Sequence, residues 1–178
     1  MIVEKTPIDG LLVIKPQLFR DNRGYFLETW QKKRYMEAGI NEEFVQDNHS
    51  VSCKNTLRGL HFQKQHPQGK LIFVSEGTVF DVAVDLRKGS ITFGKWFGIE
   101  LSAANQWQLW VPKCMAHGFV VLSEIAHFHY KCTDYYNPHD EGSIRWNDSD
   151  INIEWPIKNP ILSQKDAKAP FFKDVYYN

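Results

Sequence analysis

Through the middle of this chain, short runs suited to strands follow one another with turn residues between them and too few residues for intervening helices. This spacing constrains the fold more than any other feature. The runs read as strands at Lys70 to Ser75, Thr78 to Leu86, Lys95 to Leu101, Gln106 to Val111, His117 to Leu122 and Ile125 to Thr133. Glu76-Gly77 between the first two predicts a hairpin. Strands this close in sequence bury their apolar faces against another sheet, so a mainly β sandwich or barrel with a few short helices is expected. An early helix is predicted over Gln31 to Ala38, ending at Gly39, a residue type that accepts a left-handed cap. Neither a repeat nor a linker divides the chain, which reads as one domain over residues 1–178.

At 178 residues, 43% hydrophobic and 14% aromatic, the chain can bury a sizeable core. Its formal net charge is +0 and no run of Lys or Arg stands out, which argues against nucleic acid or an anionic membrane as partner. Leu11 to Ile14 is too short for a signal-peptide core, so a cytoplasmic protein is expected. Cys53, Cys114 and Cys132 show no paired spacing and read as reduced thiols. Cys114 follows Lys113, which favours thiolate, but a small buried filler is the simpler reading.

The chemistry concentrates in Leu57-Arg58-Gly59-Leu60-His61-Phe62-Gln63 and Gln68-Gly69-Lys70-Leu71. An Arg suits phosphate, a Lys stabilises a developing oxyanion and a His exchanges protons near neutral pH. Strict strand alternation would separate Arg58 from His61; if both reach one pocket, Gly59 marks a bulge. Along Ile125 to Thr133, alternation turns Ala126, Phe128, Tyr130 and Cys132 inward and His127, His129 and Lys131 outward. The H-x-H pair is therefore read as structural and no metal site is expected. Ser163-Gln164-Lys165-Asp166 fits a helix-start capping pattern.

Several segments, in order, closely resemble the dTDP-4-dehydrorhamnose 3,5-epimerase family. They are Phe19 to Glu28, Gln46 to Ser50, the two motifs above, Gln108 to Phe119, Tyr130 to Thr133 with Tyr135-Tyr136, and Leu162 to Asp166. One departure is Cys114-Met115, where the family usually has glycine and phenylalanine; it is read as altered turn and packing. The resemblance implies a cupin-type jelly-roll barrel with the active site inside it, in a homodimer whose amino-terminal strands cross to the partner.

The substrate it implies is a dTDP-4-keto-6-deoxy sugar. The keto group acidifies the hydrogens at C3 and C5, so inversion needs a base on one face, an acid on the other and a cation at the oxygen, with no redox cofactor. By resemblance His61 is the base, Asp166 its orienting partner, Tyr130 the acid and Lys70 the cation at the enolate. Substrate-binding roles carry over to Arg23, Glu28, Gln46, Asp47, Asn48, Arg58, His117, Glu141 and Lys165. Among these, Arg23 and Arg58 suit a diphosphate clamp, and Gln46 and Asn48 can read a pyrimidine edge. Glu28 belongs near sugar, base or a basic neighbour. Phe19, Phe26 and Tyr136 are all candidates to stack on thymine. Three rival readings are inversion at C3 alone, a non-catalytic sugar-nucleotide binding module and a metal-dependent cupin oxygenase.

Overall fold

The computed structural model describes residues 1–176. The first part of the chain carries β1 (Ile2–Lys5), β2 (Leu12–Lys15), β3 (Leu18–Asp21), β4 (Gly24–Leu27), α1 (Lys32–Glu37) and β5 (Gln46–Cys53). The middle carries β6 (Leu57–Gln63), β7 (Lys70–Glu76), β8 (Thr78–Asp85), β9 (Trp96–Ser102), β10 (Gln108–Val111) and β11 (Met115–Val121). Then come β12 (Ile125–Cys132), β13 (Glu141–Ser143), α2 (Gln164–Ala167) and α3 (Phe172–Tyr176).

These strands form a six-stranded sheet in the order β1-β2-β10-β7-β12-β5, a five-stranded sheet in the order β13-β6-β11-β8-β9, and a separate β3-β4 ribbon. Ile72, Val74, Leu109 and Phe128 of the first large sheet share one core with Val79, Ala83, Leu101, Phe119 and Val121 of the second. The Phe119 and Phe128 rings stack across it with centroids 3.9 Å apart. The result is the expected mainly β jelly roll. A second apolar layer, including Val82, Val84, Ile144, Ile151 and Phe172, covers the other face of the five-stranded sheet.

The hairpin expected at Glu76-Gly77 does not form. β7 pairs with β10 and β12, whereas β8 pairs with β11 and β9. The chain turns a corner there and passes from one sheet to the other. Gly77 has φ +79°, and a Cβ on it would lie 2.0 Å from the Ile125 carbonyl oxygen. A tight glycine turn serves a hairpin or a corner equally well, and only the distant pairing partners distinguish them.

Elsewhere the expected elements hold, with shifted ends. β10 begins at Gln108 because Gln106 sits at φ 55° in a turn. Gln31 caps α1 by accepting the Arg34 amide at 2.7 Å. Gly39, at φ 92°, closes the helix as expected, with Gly39 N–H donating to Met36 O and Ile40 N–H to Tyr35 O. Tyr35 then packs with Ile14, Ile40, Leu71 and Trp110 on the outer face of the six-stranded sheet. Cys114 is not a buried filler. It is exposed, at φ 63° in the turn before β11, the backbone conformation that glycine adopts without steric cost.

Candidate active site

A cavity of about 390 Å³ opens between the two sheets. β6 and β11 of the five-stranded sheet line it with Arg58, His61, His117 and Phe119. β5, β7 and β12 of the six-stranded sheet contribute Asn48, Lys70, Phe128 and Tyr130, and the α2 region adds Ser163, Lys165 and Asp166. The stacked Phe119 and Phe128 rings make an apolar wall beside the polar groups.

A bulge lets Arg58 and His61 share this space. His117 pairs with His61 and Phe119 with Arg58, so two steps along β11 match three along β6. Gly59, at φ 121°, lies within the longer span, and a Cβ on it would meet Gly118 Cα at 2.6 Å. The irregularity expected at Gly59 is therefore present, and only glycine fits it.

His61 Nε2 lies 2.5 Å from Asp166 Oδ1. The helix-cap reading of Asp166 also holds. Ser163 Oγ accepts the Asp166 amide at 3.0 Å and donates to Asp166 Oδ2 at 2.8 Å. Burial pushes the Asp166 carboxyl up, but the His61 and Ser163 contacts outweigh it and hold the group below the ordinary carboxylate range. An ionised Asp166 orients the ring and stabilises imidazolium.

On the opposite sheet, burial raises the Tyr130 phenol, which stays protonated at neutral pH. Burial lowers the neighbouring Lys70 ammonium from its usual value. Lys70 Nζ sits 5.8 Å from the Tyr130 ring centroid and has no hydrogen-bond or ion-pair partner among the described residues, so it is free for a ligand oxygen. His117 forms a second, deeper pair, with Nε2 3.0 Å from each Asp81 oxygen. Burial lowers its pKa against the pull of Asp81. Asp81 is not among the sequence candidates; its one signal is a lone carboxylate inside the apolar run Val79-Phe80-Asp81-Val82-Ala83-Val84.

Other candidates gather at the rim. Arg58 Nε donates to Ser52 Oγ at 3.0 Å, and Gln46 Nε2 donates to Asn48 Oδ1 at 3.0 Å. Lys165 Nζ meets Glu141 Oε1 at 2.5 Å, while the Tyr136 hydroxyl donates to Glu141 Oε2 at 3.0 Å. Five candidates do not line the cavity of their own chain: Gln46 and Glu141 touch it only through Asn48 and Lys165, and three others are engaged elsewhere. Arg23, its side chain 86% exposed, pairs with Asp21 on the β3-β4 ribbon. Glu28 pairs with Arg34 at 2.8 Å, the basic neighbour its charge required. Asp47 lies on the outer face of β5 and pairs with Lys131 at 2.9 Å.

Two His–Asp pairs, a lysine without a hydrogen-bond or ion-pair partner among the described residues and a protonated phenol thus meet at one cavity inside a jelly roll, groups chemically able to move protons. The family model for dTDP-4-dehydrorhamnose 3,5-epimerase matches residues 5–174. The chain belongs to this family. It is 56% identical over 173 residues to the dTDP-4-dehydrorhamnose 3,5-epimerase of Salmonella typhimurium, covering 96% of this chain and 94% of that one. A crystal structure of the Elizabethkingia anophelis enzyme of that name superposes with a TM-score of 0.93 at 53% identity, over 98% of this chain and 97% of the other. A dTDP-6-deoxy-D-glucose-3,5-epimerase from Legionella pneumophila, in complex with dTDP-4-keto-L-rhamnose, also gives 0.93 at 53% identity, over 96% and 92% of the two chains. Membership fixes the jelly roll as cupin-type.

Proposed function

We propose that this chain is an isomerase that inverts C3 and C5 of dTDP-4-dehydro-6-deoxy-D-glucose to give dTDP-4-dehydro-L-rhamnose. The observation that carries the mechanism is the division of labour between sheets. His61, backed by Asp166, enters the cavity from the five-stranded sheet, and Tyr130 enters from the six-stranded one. A base and an acid on opposite walls can take a proton from one face of a carbon and return one to the other face.

In this reading His61 removes the proton next to the 4-keto group, Lys70 stabilises the enolate oxygen, and Tyr130 protonates the carbon from the far side. Taking the lysine out of water strengthens its interaction with the oxyanion. Arg58 holds the diphosphate, His117 and Lys165 border the ligand, and Asn48, braced by Gln46, faces the nucleotide. Glu141 steadies Lys165 at the rim.

Arg23 and Glu28 reach a ligand through the partner subunit in this proposal. The whole chain acts as one jelly-roll domain in a cytoplasmic homodimer, with the β3-β4 ribbon exchanged. Support comes from the ribbon itself, which exposes Phe19 at 60% and Phe26 at 69% and belongs to neither large sheet. Among the described residues no helix is long and apolar enough to cross a membrane.

The test is incubation with dTDP-4-dehydro-6-deoxy-D-glucose in deuterated water, followed by NMR. Solvent deuterium is expected at both C3 and C5 without added nicotinamide. Label at C3 alone would select the single-inversion reading. No label from protein that binds dTDP would defeat the proton-transfer mechanism. Tyr130→Phe should exchange label yet form little inverted product; equal loss of both would withdraw the two-sided assignment.

A further inference from the structure

The outer face of the β5-β12 pair carries a histidine cluster that the proposed reaction does not use. His129 on β12 sits directly opposite His49 on β5, and His127 opposite Val51. Strand alternation places all three imidazoles on the face opposite Asn48 and Tyr130. The His49 and His129 rings are parallel, with centroids 4.2 Å apart, and Phe73 stacks on His129 at 4.8 Å. His129 Nε2 is engaged by Ser75 Oγ at 2.7 Å, so this ring is anchored and backs the His49 ring. His49 Nε2 and His127 Nδ1 approach to 3.2 Å. The other nitrogen of His127, Nε2, faces Glu76 Oε2 at 3.6 Å.

We propose that His49 Nε2 and His127 Nδ1 form a two-imidazole site for a divalent transition metal ion, Zn²⁺ or Cu²⁺ being of the right class. At metal–nitrogen distances of about 2.0–2.1 Å, donors this far apart subtend about 100° at the ion, near the tetrahedral value. Each ring needs only to swing its lone pair off the direct nitrogen–nitrogen line by about 40°. The tautomer is favourable too. A proton on His127 Nε2, facing the Glu76 carboxylate, leaves Nδ1 as the donor, the outer-shell arrangement that orients metal-bound histidines.

Among the described residues no three ligating side chains surround one point, so water completes the coordination shell. Imidazole pairs select Zn²⁺ and Cu²⁺ over hard cations such as Mg²⁺ and Ca²⁺. The role implied is a clamp between β5 and β12, the strands whose inner faces carry Asn48 and Tyr130. The alternative is a plain hydrogen bond from His49 Nε2–H to His127 Nδ1 with no affinity for metal.

Zn²⁺ titrated into EDTA-treated, desalted full-length protein should bind saturably with one ion per chain by calorimetry and raise the melting temperature. His127→Ala and His49→Gln should each weaken binding by at least about tenfold, and Glu76→Gln by about tenfold through loss of the outer carboxylate. His139→Ala, at an exposed histidine outside β5 and β12, should bind as the parent does. With Cu²⁺ as probe, electron paramagnetic resonance should show two nitrogen donors in the parent and one in His127→Ala. Circular dichroism of the metal-free variants establishes that each is folded. Absence of saturable Zn²⁺ uptake by the parent, or undiminished uptake by folded His127→Ala, would overturn the proposal, as would a copper spectrum without nitrogen coupling.

Discussion

His61 and Lys70 occupy the same cavity but are controlled by different physics. His61 is held by a charged partner 2.5 Å away, so its function depends on geometry. We expect His61→Ala to lower turnover by about 10²- to 10⁴-fold, with dTDP affinity nearly unchanged in calorimetry. A folded variant with normal turnover would remove His61 as the base. Lys70 is controlled by desolvation, which lowers its pKa from 10.5. In the proposed mechanism its ammonium form is the active one, so kcat should fall as pH rises through that lowered value, at a lower pH than for an ordinary lysine. The Tyr130 phenol is shifted the opposite way and ionises above its usual 10.0. In Lys70→Arg the fall should move to higher pH; a pH–rate profile identical to the parent's would place the alkaline limb on another group. Both residues stand out in the sequence as candidates through their motifs. What could not be read was the desolvation of Lys70, because other segments must close around it.

Among the elements, α1 is the clearest case of local sequence and tertiary packing agreeing. Its end at Gly39 was readable, but its docking through Tyr35 was not. The Tyr35 hydroxyl lies 2.7 Å from Gln108 Oε1, 73 positions away along the chain, and burial pushes its pKa up to about 12. The folded state thus holds the phenolic proton more tightly than the unfolded state, and the stabilisation is complete below the ordinary value of 10.0. It is lost as pH rises towards 12, by on the order of 2–3 kcal/mol. Denaturant unfolding at pH 9 and pH 11.5 should show that loss in the parent and less of it in Tyr35→Phe; an equal loss in both would assign the alkaline instability elsewhere. The β7-β8 corner is the opposite case. Its turn residues are legible in the sequence but its pairing is not, because ladder partners lie far along the chain. The irregularity at Gly59 is legible locally, since placing Arg58 and His61 in one cavity demands an extra residue between them.

The whole molecule is where the single chain and its proposed site diverge, since Arg23 stands on an exposed ribbon away from the cavity its resemblance assigns it to. If the ribbon crosses to a partner, Arg23→Ala and His61→Ala chains should complement. Refolded together at equal concentration, they should recover about one quarter of parental activity, because half the dimers are mixed and each has one intact site. No recovery, with mixed dimers demonstrated, would mean that Arg23 serves its own barrel. By itself, the sequence determined the mainly β class, the inward face of β12 with Tyr130 and the grouping of candidate residues around His61. These follow from alternation and residue chemistry, which act over a few neighbouring positions. Only the tertiary structure decided that β7 and β8 belong to different sheets, that Asp81 pairs with His117 and that Asp47 faces away from the cavity. It also showed His49 and His127 nitrogens meeting at 3.2 Å. Each of these depends on which strand lies next to which, and that is set by burying two sheet faces together rather than by any local run of residues.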